Sequence, residues 1–259
     1  MVACSSGSCR QSEREGYRHQ HARGRASCIE EACGGRTGRR LGNVVAGNVV
    51  LSIRRILHRY REAPYPVVDL IDCAIPERSI ASLTAASGMG KTTLFRLLLG
   101  WFDGDIGTIV DTTPSFRASG SIWMVGGHPS LLPWLSVGQN LRFFLPRSSS
   151  AEAVDLLGAL GLQPSVGQMH PYQLSAGMYK RVELVIALLR RPEVLLLDEF
   201  FSSLDASARD LALEALHKHR TGHLTWISGH EVHLADWLGG VSYQLEANVE
   251  NTVIGLERV

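Results

Sequence analysis

The chain has 259 residues, 45% of them hydrophobic and 20% charged, so it can bury the core of one large domain or of two small ones. Its formal net charge of +1 gives no global basis for binding nucleic acid or an acidic substrate, and we expect no nucleic-acid partner. No apolar run approaches the ~20 residues of a membrane-spanning helix, and the N-terminus lacks the apolar core of a signal peptide, so we expect a cytoplasmic location.

The N-terminal segment differs in composition from the rest of the chain. Ser, Gly, Arg and His dominate it, so residues 1–48 are predicted to be a disordered extension of a folded domain, residues 49–259. Four of the five cysteines lie here in two C-x4-C pairs, with two histidines between the pairs. A zinc site is the alternative interpretation, but the spacing is wider than in compact zinc ribbons and no apolar residues support a fold. The six residues are Cys4, Cys9, His19, His21, Cys28 and Cys33.

A β-rich lobe is predicted at the start of the folded part. Val49–Ile53 and Val67–Ile71 are apolar and rich in β-branched residues, which is typical of strands. Tyr60 lies between these two runs. From its chemistry alone, packing at a strand edge is the simplest explanation of this aromatic ring.

A phosphate-binding loop is predicted next, between a short apolar run and a helical pattern. Two glycines let backbone N–H groups turn inward around phosphate oxygens, and the helix points its positive end at them. Lys91 would reach the terminal phosphates and the Thr92 hydroxyl would hold Mg²⁺. The pattern G-x-x-x-x-G-K-[ST] requires glycine where Ala85 stands, so an ordinary strand-to-helix turn with a surface lysine is the alternative. The predicted nucleotide contacts are Ala85, Ser87, Gly88, Met89, Gly90, Lys91, Thr92 and Thr93.

A helical subdomain is predicted at about residues 128–190, after a strand at Ser121–Val125. Apolar residues recur at helical spacing around residues 151–160 and 176–189. Ser175 stands at the N-cap position of the second of these helices.

Two carboxylates follow a buried strand further along the chain. Val194–Leu197 is a continuous apolar run that ends in Asp198 and Glu199, and ligands bind at the carboxyl ends of strands in open α/β sheets. Asp198 is predicted to hold Mg²⁺, and Glu199 to orient or deprotonate a water that attacks the γ-phosphate. The alternative is an acidic helix start. Asp205 either caps the next helix or contacts a second copy of the domain.

A final buried strand is predicted at Leu224–Ser228, just before His230. A lone histidine after a strand is usually incidental. This strand, however, would bring His230 to the same sheet edge as Lys91 and Asp198, which favours a γ-phosphate sensor.

The ordered set of these motifs resembles the ATP-binding cassette of ABC transporters, from residue 49 to roughly the C-terminus. Leu174–Met178 resembles the signature segment, normally L-S-G-G-Q, and residues 198–205 resemble the joined Walker B and D-loop segments. His230 matches the switch histidine. Tyr60 matches the aromatic residue that stacks on adenine, which reverses the interpretation from its chemistry alone. The resemblance implies an α/β fold: a P-loop NTPase cassette with a mixed-sheet core, an antiparallel β subdomain and a helical subdomain.

The resemblance also implies partners and a mechanism. Two cassettes, identical copies in the simplest case, meet head to tail and hold ATP between the phosphate loop of one and the signature segment of the other. Ser175, Ala176 and Gly177 would therefore act on the partner's nucleotide, and Glu199 would drive hydrolysis. The pair would power integral membrane permease subunits at the cytoplasmic face of the membrane, with a periplasmic or extracellular binding protein as an indirect partner.

Departures from the family pattern bear on activity. The glutamine that helps to coordinate Mg²⁺ and relays to the membrane subunits falls at Gly127 when Leu132–Trp134 sets the register. Slow turnover is expected, and a cassette that binds nucleotide without hydrolysing it is the alternative to an active ATPase. Restoring glutamine at residue 127 is expected to raise coupled transport if its loss is a defect. Further deviations occur at Ala85, Ala176, Met178 and Phe200.

One apolar segment indicates a direction of transport. Leu131–Val137 resembles importers of the nitrate, sulfonate and taurine type, and it suits a groove that receives a helix of the membrane subunit. Import of a small solute is therefore predicted. The alternatives are a cassette of an exporter or lipid-handling system, and a soluble regulatory or nucleic-acid-associated ATPase.

Overall fold

One sheet organises the part of the chain that the computed structural model describes, which is residues 49–76, 79–102, 107–112, 122–219, 224–229, 238–248 and 252–258. Nine strands from these residues pair in the order β4-β1-β2-β9-β8-β3-β7-β6-β5. The strands are β1 Val49–His58, β2 Val68–Pro76, β3 Ser79–Thr84, β4 Thr108–Thr112, β5 Ile122–Val125, β6 Val194–Asp198, β7 Leu224–Gly229, β8 Val241–Ala247 and β9 Val253–Arg258.

The sheet is mixed, with a parallel half and an antiparallel half. Strands β8, β3, β7, β6 and β5 pair in parallel, whereas β4, β1 and β2 pair antiparallel. Strand β9 is parallel to β2 and antiparallel to β8, and so joins the two halves. The register places Asp198 opposite Ser228 and Thr84 opposite Gly229, so the carboxyl ends of β3, β6 and β7 meet at one edge.

Five helices accompany these strands in the described residues. Helix α1 follows β3 directly, α2, α3 and α4 lie in the chain between β5 and β6, and α5 lies between β6 and β7. Short 3₁₀ turns connect several of them. The helices are α1 Lys91–Leu98, α2 Val137–Phe144, α3 Ser150–Ala159, α4 Ala176–Arg190 and α5 Ala206–Lys218.

Strand β6 is apolar throughout because both of its faces are buried. Val194 and Leu196 pack in a cluster with α1 and the antiparallel strands, while Leu195 and Leu197 pack in a cluster with α2 to α5. Alternate residues of a strand point to opposite faces, so an uninterrupted apolar run is what a central parallel strand requires. Each fully buried leucine contributes roughly 2 kcal/mol to folding.

The observed elements confirm the predicted α/β fold class and most of the predicted segments. The helices predicted around residues 151–160 and 176–189 are α3 and α4. The strand predicted at Leu224–Ser228 is confirmed as β7, but it is not the final strand, because β8 and β9 follow it. Strand β4 was not predicted. Strand β4 is short and alternates between partly buried and exposed residues, and two of the six residues of β9 are buried, so both strands give a weak apolar signal. The N-terminal extension, its cysteines and His230 lie outside the described residues.

Within the described ranges, no helix is both long enough and apolar enough to cross a bilayer.

Candidate functional site

The turn between β3 and α1 has the backbone of an anion-binding loop. Gly88 and Gly90 adopt φ of +80° and +87°, a left-handed conformation that glycine adopts without steric cost. A Cβ on Gly88 would meet no atom within 4 Å. Gly90 is the N-cap of α1 and no side chain caps that helix, so the first N–H groups have no side-chain acceptor there. These groups are therefore suited to a phosphate.

Lys91 is held at the base of this loop. Its side chain is only 4% exposed, and its ammonium donates to the carbonyls of Ala85 and Ala86 at 2.9 and 3.3 Å. The same nitrogen lies 3.9 Å from Oε1 of Glu199. The alternative of a surface lysine on an ordinary turn is therefore wrong.

Thr92, Asp198 and Ser228 form a hydrogen-bonded chain at the edge of the sheet. The Thr92 hydroxyl donates to Oδ2 of Asp198 at 2.7 Å, and the Ser228 hydroxyl donates to Oδ1 at 2.6 Å. Asp198 is buried, and both of its oxygens are satisfied. A hydroxyl and a carboxylate this close are the hard oxygen ligands that Mg²⁺ prefers, so the residues present fit this metal.

Glu199 has an unusual backbone conformation. Its φ and ψ are +45° and +36°, which is uncommon for a residue other than glycine. Its N–H donates to the Ser228 hydroxyl at 3.0 Å, and its carbonyl accepts from Lys180 and Ser202. The Glu199 side chain is 45% exposed, so its carboxylate lies beside Lys91 and is open to solvent.

Tyr60 is brought to the phosphate loop although it lies far from it in the chain. Its hydroxyl is 3.0 Å from Oγ1 of Thr93. Its ring is partly exposed and stands edge-on to His58, which stacks on Phe102. These contacts place an aromatic surface next to the loop, as adenine stacking requires.

The signature segment lies at the start of α4. The Ser175 hydroxyl accepts from the Met178 N–H at 3.2 Å and caps the helix, as predicted. Ser175 and Ala176 are exposed. A Cβ on Gly177 would lie 2.9 Å from the Ser203 carbonyl, so α4 begins in close contact with the segment after Glu199. Within the described residues, no hydrogen bond or ion pair joins residues 175–177 to the phosphate loop.

Asp205 caps helix α5. Its carboxylate accepts from the Ala208 N–H at 2.8 Å, and the residue is exposed. The capping role is therefore present in the single chain, and a contact with a second copy stays a prediction.

Gly126 and Gly127 lie against Asp198 with φ of +87° and +73°. A Cβ on Gly126 would overlap the Asp198 carbonyl oxygen. A Cβ on Gly127 would lie 2.6 Å from Cε of Met124 and 2.9 Å from Oδ2 of Asp198. Arg96 donates to the Gly127 carbonyl at 3.0 Å and fixes this backbone. No side chain, glutamine included, fits residue 127 without a change of conformation.

The loop that follows Gly127 is fixed to helix α4. Glu183 accepts from the hydroxyl and the N–H of Ser130 at 2.5 and 3.3 Å, and the Tyr179 hydroxyl accepts from the Leu131 N–H at 2.9 Å. Glu183 is 2% exposed, and burial raises the pKa of its carboxyl from 4.5 to about 7, partly offset by Ser130 and by the charge of Lys180. This loop therefore rests on a largely desolvated carboxyl group.

A second anchor holds the same loop at its far end. Asn140 of α2, fully buried, accepts from the Leu132 N–H and donates to the Leu132 and Leu135 carbonyls. Trp134 and Phe143 are nevertheless 69% and 65% exposed. The loop is rigid at its base and presents apolar surface to solvent.

Four residues that position the candidate site were not predicted from the sequence. Two of them are polar residues in apolar runs: Ser228 lies near the end of the buried strand β7, and Glu183 is the one charge between Val182 and Leu189. A polar residue inside an apolar run was the available signal, since burial demands a partner. Lys180 and Asn140 carried no such signal. The four residues are Asn140, Lys180, Glu183 and Ser228.

Comparison with known sequences decides the family. The profile of the ABC transporter family matches residues 68–202, which is just over half of the chain.

The chain belongs to the ABC transporter family.

Named relatives of this cassette include two import proteins. It is 40% identical over 147 residues to the Fe(3+) ions import ATP-binding protein FbpC 3 of Rhodococcus jostii, a match that covers 52% of this chain and 42% of that protein. It is 41% identical over 144 residues to the aliphatic sulfonates import ATP-binding protein SsuB 2 of Frankia alni, covering 55% of each. The chain thus spans about half the length of the curated relatives it matches.

Solved structures show the same fold. An ATP-binding subunit of an ABC transporter superposes with a TM-score of 0.65 at 19% identity, covering 81% of this chain and 90% of that one. A dimeric post-hydrolysis ATP-binding cassette bound to ADP and Pi gives a TM-score of 0.63 at 18% identity, covering 80% and 98%. The expected cassette fold is confirmed.

The geometry at residue 127 adds a cost in stability to the conditional expectation that glutamine there raises coupled transport. We predict that Gly127→Gln destabilises the cassette by about 1–3 kcal/mol, because the side chain would strain the backbone and crowd Met124 and Asp198. Thermal unfolding measures the change. The matched control is Gly158→Gln in α3, where a Cβ meets nothing within 4 Å and the change is expected to be neutral or stabilising. A Gly127→Gln variant as stable as the wild type would contradict the geometry.

Glu183 should make stability depend on pH. Its pKa is raised on folding, so the folded state binds the proton more tightly, and the wild type loses stability as pH rises from 4.5 through about 7. Glu183→Gln keeps a side-chain oxygen that accepts from Ser130, and it removes the loss of stability with rising pH. Its gain over the wild type, no more than about 3 kcal/mol, is expected above pH 7 and should vanish below pH 4.5. Urea unfolding across this range measures it. Glu214→Gln, the same substitution at an exposed position of α5, is the matched control.

Proposed function

We propose that this cassette is a Mg²⁺-dependent ATPase subunit that powers the import of a small solute across a membrane. The observation that carries the proposal is the convergence of Lys91, Thr92, Asp198 and Glu199 at one edge of the parallel sheet. An ammonium, a hydroxyl and two carboxylates in this arrangement suit a triphosphate, its metal and an attacking water.

Each residue has a role that its contacts support. The N–H groups of residues 88–92 and the Lys91 ammonium bind the phosphates, with Lys91 exchanging the carbonyls of Ala85 and Ala86 for phosphate oxygens. Thr92 and Asp198 hold Mg²⁺, which supplies charge neutralisation to the phosphates when bound. Tyr60 stacks on the adenine ring.

Glu199 is the residue we assign to the hydrolytic step. Its carboxylate is exposed beside Lys91 and so can orient a water and accept its proton. Water attacks the γ-phosphorus, the bond to the ADP oxygen breaks, and inorganic phosphate leaves. His230 is assigned as the γ-phosphate sensor from its place after β7.

A second cassette completes the site in this proposal. Ser175, Ala176 and Asp205 are exposed at the starts of α4 and α5, and residues 175–177 make no hydrogen bond or ion pair to their own phosphate loop within the described residues. A helix start with an oriented hydroxyl suits a γ-phosphate presented by a partner. The simplest pair is a head-to-tail homodimer.

The import direction and the membrane partners are inferred from the relatives and from the apolar loop. The relatives named above are import proteins for iron ions and for aliphatic sulfonates, two chemically unlike cargoes. The shared feature of these relatives is import of a small solute, which we propose for this chain as well. We also propose a binding protein as an indirect partner of this chain. The exposed Trp134 and Phe143 would receive a helix of the permease subunits at the cytoplasmic face of the membrane.

Gly127 favours a second candidate function, a cassette that binds ATP but hydrolyses it poorly. Gly127 offers the metal no side-chain ligand, which leaves Thr92 and Asp198 as the pair that this proposal assigns to the metal among the described residues. The ATPase rate of the wild type, compared with that of Glu199→Gln, separates the two functions, because equal rates would mean that Glu199 does no chemistry.

Substitutions at the two charged groups test the proposal. Lys91→Ala should abolish ATP binding, because no other described ammonium lies in the loop, while Lys218→Ala on α5 should bind as the wild type does. Equilibrium binding of labelled ATP measures both.

Glu199→Gln should trap an ATP-bound dimer, since binding is retained and hydrolysis is lost. Size-exclusion chromatography with saturating Mg-ATP detects the dimer, and Glu214→Gln is the matched control. If the Glu199→Gln variant stays monomeric while the wild type hydrolyses ATP, the two-cassette mechanism is wrong for this chain.

A further inference from the structure

We propose that Lys180 is a positioning residue for hydrolysis, which fixes the backbone of Glu199 and ties it to the helix that begins with the signature segment. The proposal rests on the ATPase function proposed above, and it assigns a role to a side chain that does not itself touch the nucleotide.

Lys180 reaches across from α4 to the end of β6. Its ammonium donates to the Glu199 carbonyl at 2.5 Å and lies 3.3 Å from the Ser202 hydroxyl. The Ser202 hydroxyl donates to the same carbonyl at 2.7 Å. The Ser202 N–H also donates to it at 3.4 Å, so the Glu199 carbonyl receives three donors, one of them charged.

These bonds act on a strained residue. Glu199 has φ of +45°, and its N–H is fixed separately by the Ser228 hydroxyl at 3.0 Å. A residue with a side chain keeps this conformation only when its surroundings determine it. With the groups on both sides of its Cα fixed, the direction of the Glu199 side chain is set, and Oε1 stands 3.9 Å from the Lys91 ammonium.

The charge of Lys180 matters as well as its reach. Burial lowers the pKa of its ammonium, and the nearby carboxylates of Glu183, Glu199 and Asp198 act in the opposite direction. The ammonium therefore stands among three acidic groups. Removing its charge while keeping its bulk would leave those groups without this cation and the Glu199 carbonyl without its charged donor.

Helix α4 connects the contact between Lys180 and Glu199 to the signature segment. Ser175 and Gly177 lie at its start, and Lys180 follows Ser175 by about one and a half turns of the same helix. In the proposed dimer, those first residues bind the nucleotide of the other cassette. A shift of α4 on binding there would move Lys180, and with it the carbonyl of the hydrolytic residue in its own site. Lys180 would thus let the occupancy of one site adjust the chemistry of the other.

Steady-state ATPase kinetics on the full chain test the positioning role. Lys180→Met keeps most of the side-chain length and removes the donor, and kcat is expected to fall at least tenfold while KM for ATP changes less than twofold. Lys180→Arg, which keeps a charged donor, should recover part of kcat. Lys218→Met, the matched change at an exposed lysine, should behave as the wild type. A Lys180→Met kcat within twofold of the wild type would overturn the proposal, as would an equal loss through KM alone.

Hydrogen exchange tests the contact without relying on hydrolysis. Peptides that cover residues 198–204 should exchange faster in Lys180→Met than in the wild type and in Lys218→Met. Unchanged exchange overturns the positioning role whatever the ATPase rates show. If the wild type proves inactive but exchange still rises in Lys180→Met, the ATPase proposal fails and the contact stands. Should Lys180→Met not fold, Lys180→Gln, a neutral donor of shorter reach, carries the same two measurements.

Discussion

The buried carboxylate of Asp198 is the group on which the geometry of this site depends. It is the last residue of β6, and each of its oxygens accepts one hydroxyl, from Thr92 of α1 and from Ser228 of β7. A carboxylate can be buried only when its oxygens are paired, so these bonds are obligatory. They fix the start of the phosphate-loop helix and the ends of two neighbouring strands around one negative charge. The backbone of Glu199 follows from the same group, because its N–H bonds to Ser228.

The site residues that could be predicted from the sequence are those whose chemical type and local structure indicate the same role. The glycines, Lys91 and Thr92 occupy a strand-to-helix turn, and Asp198 follows an apolar run. Their positions at the carboxyl ends of predicted parallel strands therefore placed them at one sheet edge. Ser228 could not be assigned in the same way, because its role depends on strand order: β7 lies between β3 and β6 in the sheet although it comes after both in the chain. The same holds for Lys180, whose partner is a backbone carbonyl and leaves no trace in the sequence.

Three of the polar side chains of helix α4 join the candidate site to other parts of the domain. Tyr179 and Glu183 hold the loop before Trp134, and Lys180 holds the residue after Asp198. The helix face next to them is apolar and packs in the core with α2, α3 and α5. Rigid attachment of this kind transmits displacement, because packed cores shift between discrete arrangements rather than deform continuously. In this cassette the loop near Gly127 is linked to the signature helix by main-chain contacts and by Glu183, with no side chain from residue 127.

The two left-handed glycines beside Asp198 also limit how this site can change by mutation. Any side chain at Gly126 meets the Asp198 carbonyl, and any side chain at Gly127 meets Met124 and the Asp198 carboxylate. A single substitution at either position therefore gives a variant with a strained backbone, whatever chemical group the new side chain carries. Under the proposed function, a substitution that adds a metal ligand would strain the backbone less at His128, which has no left-handed conformation, than at Gly127. Evolution by single substitutions is therefore expected to retain both glycines, because each replacement lowers stability before a second change can compensate.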